Sequence, residues 1–271
     1  MTGGERDLRS GDRAADETSA FGALQSALDA APAPVSFWWR DDDAGRAHPR
    51  LGQLLELAAR HEAPVGLAVV PAWLEPEVAA AILACPLASV LQHGWCHANR
   101  SSDPARPCEL IADARAAVTS RLLDGGRQLL ESVFGARFVP ILVPPWNQID
   151  EPIAASLHGA GFVGLSAMPP LARGEGHPLR LDAVLDLVVW PTRRWQRLRG
   201  IGTAVACAAM AREISTGRSA PIGILSHHLV MDRQQLAELD QLLRVLTTHP
   251  KARLLDPGSA LTAVRRYGVE R

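Results

Sequence analysis

The chain has 271 residues, 47% of them hydrophobic, and a formal net charge of −1 at pH 7. This length suits one α/β barrel, which typically needs about 250 residues. The near-neutral charge gives no electrostatic reason to expect nucleic acid or an anionic membrane as a partner. No stretch reaches the roughly 20 uninterrupted apolar residues of a membrane span.

The N-terminal segment differs in character from the rest of the chain. Residues 1–20 are polar and charged and lack the apolar core of a signal peptide. We therefore expect a flexible polar tail over residues 1–20, a single domain over residues 21–271 and a cytoplasmic protein. The four cysteines form no CxxC pair, so free thiols are expected rather than a disulfide framework. The sequence specifies no oligomeric state.

Beyond the tail, helical patterns alternate with short apolar runs rich in β-branched or aromatic residues. In chain order the pattern predicts helix Phe21–Ala31, strand Val35–Arg40, helix Leu51–His61, strand Val65–Val70, helix Glu75–Ala84, strand Ser89–Gln92, helix Glu109–Phe134 interrupted at Gly125-Gly126, strand Phe138–Val143, helix Glu151–Gly159, strand Phe162–Ser166, strand Val184–Trp190, helix Ala204–Ser215, strand Ile222–Ser226, helix Arg233–Thr248, strand Arg253–Leu255 and a helix from Pro257 to about Tyr267.

This alternation predicts a parallel sheet with helices packed outside it. Seven or eight strand–helix units in one domain favour a distorted TIM-like (β/α) barrel. A doubly wound open sheet is the alternative, but no glycine-rich phosphate loop follows the first strand.

Polar clusters follow four of the predicted strands. They are Asp41-Asp42-Asp43, His93-Gly-Trp-Cys-His97, Pro144-Pro145-Trp146-Asn147 and His227-His228. The carboxyl ends of barrel strands share one face, and that face holds the active site. The sequence therefore predicts that the four clusters meet in one cleft.

Two of these clusters favour a metal site. His93 and His97 are four residues apart, so both imidazoles lie on one face if the segment is a turn of helix. Three adjacent carboxylates repel one another and need a compensating cation if they are buried. Two imidazoles and one carboxylate form a three-ligand set with room for water. We expect a divalent metal, with zinc as the first candidate.

The ordered motifs resemble those of the polysaccharide deacetylase superfamily (NodB-type, carbohydrate esterase family 4). Its members carry Asp-Asp after a strand, then His-x-x-x-His, then Pro and an aromatic residue, and finally Leu-x-His. Here these motifs are Asp42-Asp43, His93 to His97, Pro145-Trp146 and Leu225-Ser-His227, in the same order. The resemblance implies a NodB-type barrel and a metal-dependent hydrolase that removes an acyl group, acetyl above all, from an amide of a sugar or sugar-like compound.

The resemblance also implies individual roles. Asp43, His93 and His97 would bind the metal, Asp42 would be the general base and His227 the general acid. Asp41/Asp42 stays open as the alternative register of the acidic pair. His228 stays open as the acid, because successive strand residues point to opposite faces.

Other residues of the same clusters are candidates for supporting roles. The Trp146 N–H is the candidate donor to a developing oxyanion, because the prolines before it have no N–H. The family's arginine that pairs with the base is replaced by Val143, and Arg40 beside the acidic triplet is the candidate substitute. Residues that could support the site or contact substrate are Arg40, Asp41, Pro145, Asn147 and His228.

Two further functions remain possible at this point. One is a hydrolase of other non-peptide carbon–nitrogen bonds, such as cyclic amides or ureides, and the other is a non-catalytic carbohydrate-binding relative. The expected partner is a small-molecule or carbohydrate substrate. In a cytoplasmic enzyme this would be a small acylated metabolite or a nucleotide- or lipid-linked sugar.

Overall fold

A computed structural model describes residues 20–103, 105–113, 116–168, 171, 177–183, 185–188, 190, 202–217 and 220–269. Almost all of the expected N-terminal tail, residues 1–19, lies outside the described residues. All four cysteines are free, and three of them are buried. None of the described helices combines the length and the apolar character needed to cross a bilayer.

The described residues contain nine strands and eight α-helices, and strand and helix alternate over most of their length. The strands are β1 Val35–Ala44, β2 Val65–Val69, β3 Ala88–His93, β4 Phe138–Val143, β5 Gly164–Leu165, β6 Leu179–Arg180, β7 Leu185–Asp186, β8 Ile222–Ser226 and β9 Ala252–Leu255. The helices are α1 (residues 20–30), α2 Pro49–Arg60, α3 Pro76–Ala84, α4 Ala116–Phe134, α5 Glu151–Ser156, α6 Gly202–Ser215, α7 Arg233–Thr248 and α8 Pro257–Val269.

The strands form one parallel sheet in the order β6-β5-β4-β3-β2-β1-β8-β7, and β9 pairs with the start of β1. The edge strands β6 and β7 are consecutive in the chain and are joined only by residues 181–184. A connection of that length spans at most about 17 Å. The two edges must therefore lie close together, so the sheet is curled. The predicted distorted barrel is confirmed, and the open doubly wound sheet is excluded.

Side-chain alternation in β1 separates the barrel interior from the layer under the helices. Phe37 and Trp39 belong to the large cluster that packs against the surrounding helices. Trp38 lies in the smaller interior cluster with residues of β2, β3, β4 and β8, and α8 closes that cluster through Ala260 and Leu261. Arg40 and Asp42 follow Trp38 at intervals of two residues. Their side chains therefore lie on the same face of β1 as Trp38, and this face leads to the cleft.

Several predicted bounds were wrong. β1 runs through the acidic triplet to Ala44, whereas the prediction ended it at Arg40. α4 begins at Ala116 rather than Glu109, and it continues through Gly125-Gly126 without interruption. Gly126 serves close packing, because a Cβ there would lie 2.6 Å from Gln92 Nε2 on β3. The two-residue strand β6 was missed, since it is too short to show a periodic pattern.

Candidate active site

The acidic triplet sits on a β-bulge that breaks the alternation of β1. The pairing of β1 with β2 shifts register between Asp41 and Ala44, and Asp43 has φ 68°. A bulge of this kind re-aims a side chain. As a result Asp42 and Asp43 both face the cleft, although they are consecutive. Asp41 faces the opposite side of the sheet.

Asp43 lies between the two histidines of the second cluster. Its Oδ1 atom is 3.2 Å from His93 Nε2 and 3.2 Å from His97 Nε2. The possible ligand atoms of the three residues lie within 4.8 Å of one another. His93 Nδ1 is 2.9 Å from the carbonyl oxygen of Val143. Because a carbonyl only accepts, Nδ1 carries the proton in the neutral ring and Nε2 offers its lone pair to the cluster.

The positions of these three side chains suit a shared cation better than hydrogen bonds among themselves. Asp43 Oδ1 is buried and makes no well-formed hydrogen bond to any described group. Burial favours a higher pKa for Asp43, but the adjacent imidazoles of His93 and His97 hold it well below its usual range. Burial lowers the pKa of His93, yet the charges of Asp42 and Asp43 raise it overall. One carboxylate and two imidazoles thus converge on one point, and they are ligand types that zinc and similar ions prefer.

The two histidines are not joined by the turn of helix that would have placed both imidazoles on one face. Residues 94–97 form an irregular loop, in which Gly94 and His97 both have φ 56°. His97 therefore reaches Asp43 through left-handed backbone rather than through the i, i+4 geometry of a helix. Its imidazole is held between aromatic rings, with centroids 4.4 Å from Trp146 and 5.4 Å from Trp73.

Glu109 is a site residue that the sequence reasoning missed. The sequence pattern predicts a helix that starts at Glu109, but the residue lies in a loop and is only 1% exposed. Its carboxylate accepts hydrogen bonds from the backbone N–H groups of Trp95, Cys96 and His97. The Cys96 thiol also donates to it, and burial together with Glu109 raises the pKa of that thiol. The only signal in the sequence was an isolated acidic residue between Cys108 and Leu110.

Asp42 is paired with Arg40 from its own strand. Asp42 Oδ1 lies 2.8 Å from Arg40 Nε, and Arg40 Nη2 donates to Asp42 Oδ2 at 3.0 Å. Arg40 also donates to Ser166 Oγ at 2.6 Å and to Asn147 Oδ1 at 2.8 Å. The guanidinium is fully buried, so these contacts fix it in one orientation. Arg40 therefore supplies the positive charge beside Asp42, which Val143, at the position of the family's arginine, cannot supply.

His227 lies on the other side of Asp42. Its Nε2 atom is 3.9 Å from Asp42 Oδ2, and its Nδ1 atom is 3.4 Å from Asp186 Oδ1 on β7. The Trp190 indole donates to Asp186 at 2.6 Å, and its ring meets His227 edge-on at 4.9 Å. Burial alone would lower the pKa of His227, but Asp186 and then Asp42 raise it to about 10. His227 therefore holds a proton at neutral pH.

Asp186 was also missed from the sequence, although a signal was present. It is an acidic residue inside the predicted apolar strand Val184–Trp190, where burial of an unpaired carboxylate is costly.

Asp41 and His228 are placed together away from the cleft. Both are fully buried, and the His228 Nδ1 atom is in close contact with the Asp41 carboxylate. Asp41 also accepts from the His228 N–H at 3.0 Å and from Ser226 Oγ at 2.6 Å. These contacts satisfy a buried charge within the packing behind β8.

The Pro-Trp-Asn segment forms a short 3-10 turn after β4. Trp146 and Asn147 adopt φ 55° and 56°, and the Asn147 N–H donates to the Pro144 carbonyl at 2.9 Å. Pro145 is buried beneath this turn. The left-handed turn directs Trp146 against His97 and Asn147 against Arg40, so one segment contacts both halves of the site.

No family model and no curated protein sequence matches this chain. Solved structures do match. One described as a polysaccharide deacetylase from Mycobacterium smegmatis has a TM-score of 0.61 at 17% identity, covering 81% of this chain and 78% of that one. A peptidoglycan deacetylase from Bacillus subtilis has a TM-score of 0.50 at 12% identity, covering 88% and 95%. A carbohydrate esterase family 4 pseudoenzyme from Bacillus anthracis has a TM-score of 0.50 at 11% identity, covering 84% and 66%.

The chain therefore has the fold of the polysaccharide deacetylases, and the resemblance inferred from the motifs is confirmed at the level of the fold.

Proposed function

We propose that this protein, which has the polysaccharide deacetylase fold, is a metal-dependent hydrolase that removes an acyl group from an amide of a sugar or sugar-like compound. Acetyl is the first candidate for the acyl group. The observation that carries the proposal is the convergence in one cleft of three groupings: the cluster of Asp43, His93 and His97, the Arg40-paired Asp42, and the Asp186-paired His227.

The metal would be held by Asp43, His93 and His97, and zinc is the ion that we propose. A bound divalent cation supplies a Lewis acid that polarises an acyl oxygen and makes water a stronger nucleophile at neutral pH. Three protein ligands leave coordination positions open, as catalytic rather than structural sites do.

Asp42 would accept the proton of the attacking water. Each of its oxygens contacts Arg40, and each keeps a further lone pair for such a proton. Arg40 fixes the orientation of this carboxylate, because its own guanidinium is anchored on Ser166 and Asn147. A base held in place contributes roughly 10²–10⁴-fold to the rate.

His227 would donate its proton to the departing amine. Asp186 stabilises the protonated ring, and the indole of Trp190 holds Asp186 in turn. A carboxylate orients the histidine of a Ser-His-Asp triad and stabilises its protonated form in the same manner. The Trp146 N–H would stabilise the charge that develops on the acyl oxygen.

A non-catalytic role has one specific observation behind it, since a pseudoenzyme shares this fold. The fold by itself is therefore not evidence of catalytic activity. The presence here of both an arginine-paired carboxylate and a carboxylate-paired histidine beside the cluster supports an enzyme instead.

Metal analysis and a substrate screen test the proposal. Purified protein should hold about one divalent ion per chain, and it should release acetate from at least one N-acetylated sugar. Asp43→Ala should lose the ion, whereas Asp42→Asn should keep it and lose roughly 10²–10⁴-fold in turnover. If Asp42→Asn loses the ion while Asp41→Asn loses only activity, the register of the acidic pair is shifted by one.

A further inference from the structure

We propose that Glu109 is a positioning residue for the metal centre. Its buried carboxylate holds the loop of residues 94–97, and this loop carries His97 to Asp43 and His93. The inference rests on the proposed metal site and adds to it a residue that shapes the site without touching the ion.

The contacts of Glu109 are directed at consecutive backbone groups. Glu109 Oε2 accepts from the N–H of Trp95 at 3.3 Å and of His97 at 3.2 Å, and Oε1 accepts from the N–H of Cys96 at 2.8 Å. The Cys96 thiol donates to Oε1 at 3.2 Å. Successive N–H groups that converge in this way form an anion-binding nest. Here the anion is a side chain of the same molecule.

The loop needs this carboxylate to keep its shape. Without it, three adjacent N–H groups would point into a site where Glu109 is only 1% exposed. Each buried donor left without a partner costs about 1–3 kcal/mol. His97 is also held at φ 56°, a conformation that a non-glycine residue adopts only when its surroundings impose it.

Gly94 shows that loop and carboxylate are fitted to each other. It has φ 56°, and a Cβ at this position would lie 2.2 Å from Glu109 Oε2 and 2.7 Å from Pro145 Cδ. Only glycine allows the backbone to approach the carboxylate so closely.

Glu109 is anchored independently of the histidines. Asp150 accepts from Arg106 Nη1 at 2.8 Å and from the Ala112 N–H at 2.7 Å. The Asp150 N–H donates to the Leu110 carbonyl at 2.9 Å. These contacts hold the segment through the side chain of Arg106 before Glu109 and through the backbone of Leu110 and Ala112 after it. Asp150 is therefore a matched control, because it holds the same segment and is not among the hydrogen-bond partners of residues 93–97.

The first experiment compares metal binding by wild type, Glu109→Gln and Asp150→Asn as full-length chains. Gln keeps the shape of Glu109 but turns an amide NH₂ toward the loop donors. Loss of an outer partner of a metal ligand typically weakens binding 10–100-fold. We expect Zn²⁺ affinity, measured by chelator competition, to fall by roughly that factor in Glu109→Gln. The visible spectrum of the Co²⁺-loaded variant should also change, because His97 would sit differently.

The control separates positioning from general destabilisation. Asp150→Asn should bind Zn²⁺ within about threefold of wild type and keep the wild-type Co²⁺ spectrum, even if it melts earlier. Unchanged binding in Glu109→Gln would overturn the inference, and so would an equal loss in Asp150→Asn. A wild type that binds neither ion would overturn this inference and the proposed metal site together.

A second experiment needs no variant, so it remains decisive if Glu109→Gln does not fold. In metal-free wild-type protein, hydrogen exchange at the amides of residues 95–97 should already be slow, because Glu109 holds these groups before any ion binds. Fast exchange that slows only on addition of Zn²⁺ would show that the ion orders the loop, and it would overturn the role of Glu109.

Discussion

Replacing Arg40 by methionine tests how the proposed base is held. The side chain of Arg40 is fully buried and Asp42 is 3% exposed, so Arg40→Met leaves a carboxylate in the interior without its cation. Removing one partner of a buried ion pair typically costs 3–5 kcal/mol. In a protein of this size, about 2–4 °C of melting temperature is lost per kcal/mol, so the expected drop is about 6–20 °C.

The assay is equilibrium unfolding in denaturant with a chelator present, because a bound ion would add its own stabilisation. The matched control is the double variant Arg40→Met/Asp42→Asn, in which neither charge remains. The two substitutions should not be additive, and the cycle should return a coupling of about 1–3 kcal/mol. Arg40→Lys should also lower the free energy of unfolding, because an ammonium group cannot reproduce the guanidinium fork that contacts Asp42, Ser166 and Asn147.

A loss below about 1 kcal/mol in Arg40→Met, or strict additivity in the cycle, would refute the reasoning. Either result would mean that Asp42 is solvated or paired elsewhere in solution.

Three further predictions concern the histidines and the thiols. His227→Ala should reduce turnover of an amide with a poor leaving amine by about 10²–10⁴-fold and affect an ester with a good leaving group much less. His228→Ala, in contrast, should mainly lower the unfolding temperature. The reverse pattern would make His228 the acid. Against the opposing effect of burial, Asp186 raises the pKa of His227 to about 10. His227 must be protonated to act as an acid, so activity falls as pH rises through this pKa, and Asp186→Asn should move that basic limb of kcat/KM to lower pH; an unmoved limb would contradict the assignment. Burial raises the pKa of Cys108 to about 11 and of Cys207 to about 12, so neither thiol should react with a disulfide reagent at pH 8 until the protein is unfolded; rapid labelling of either in the native protein would contradict their burial.

The pattern of apolar runs and polar clusters is enough to predict the barrel and the face on which the candidate site lies. The strands Phe138–Val143 and Ile222–Ser226 and the helix Arg233–Thr248 have the predicted bounds. These elements are strongly periodic and have clear end signals, such as the capping box of Asp232 and Gln235. Because parallel strands present their carboxyl ends on one face, the order of motifs along the chain was enough to bring the polar clusters together.

Which side-chain atoms come into contact depends on how the strands pair. Strand alternation alone would place Asp41 and Asp43 on one face, but the bulge sends Asp43 into the cleft beside Asp42. A bulge depends on pairing with β2, so no pattern within β1 reveals it. For the same reason the sequence could suggest Arg40 as the partner of the base but could not show the contact.

The contacts of the carboxylates that support the histidines do not follow from the sequence pattern, although Asp186 inside an apolar run is a signal that a buried partner is needed. Glu109 accepts from the backbone N–H groups of residues 95–97, which lie 12–14 positions earlier in the chain, and Asp186 reaches His227 from the neighbouring strand β7. Local propensity and periodicity describe a residue relative to its own element. Contacts between elements depend on how the whole sheet curls, and only the folded chain fixes that.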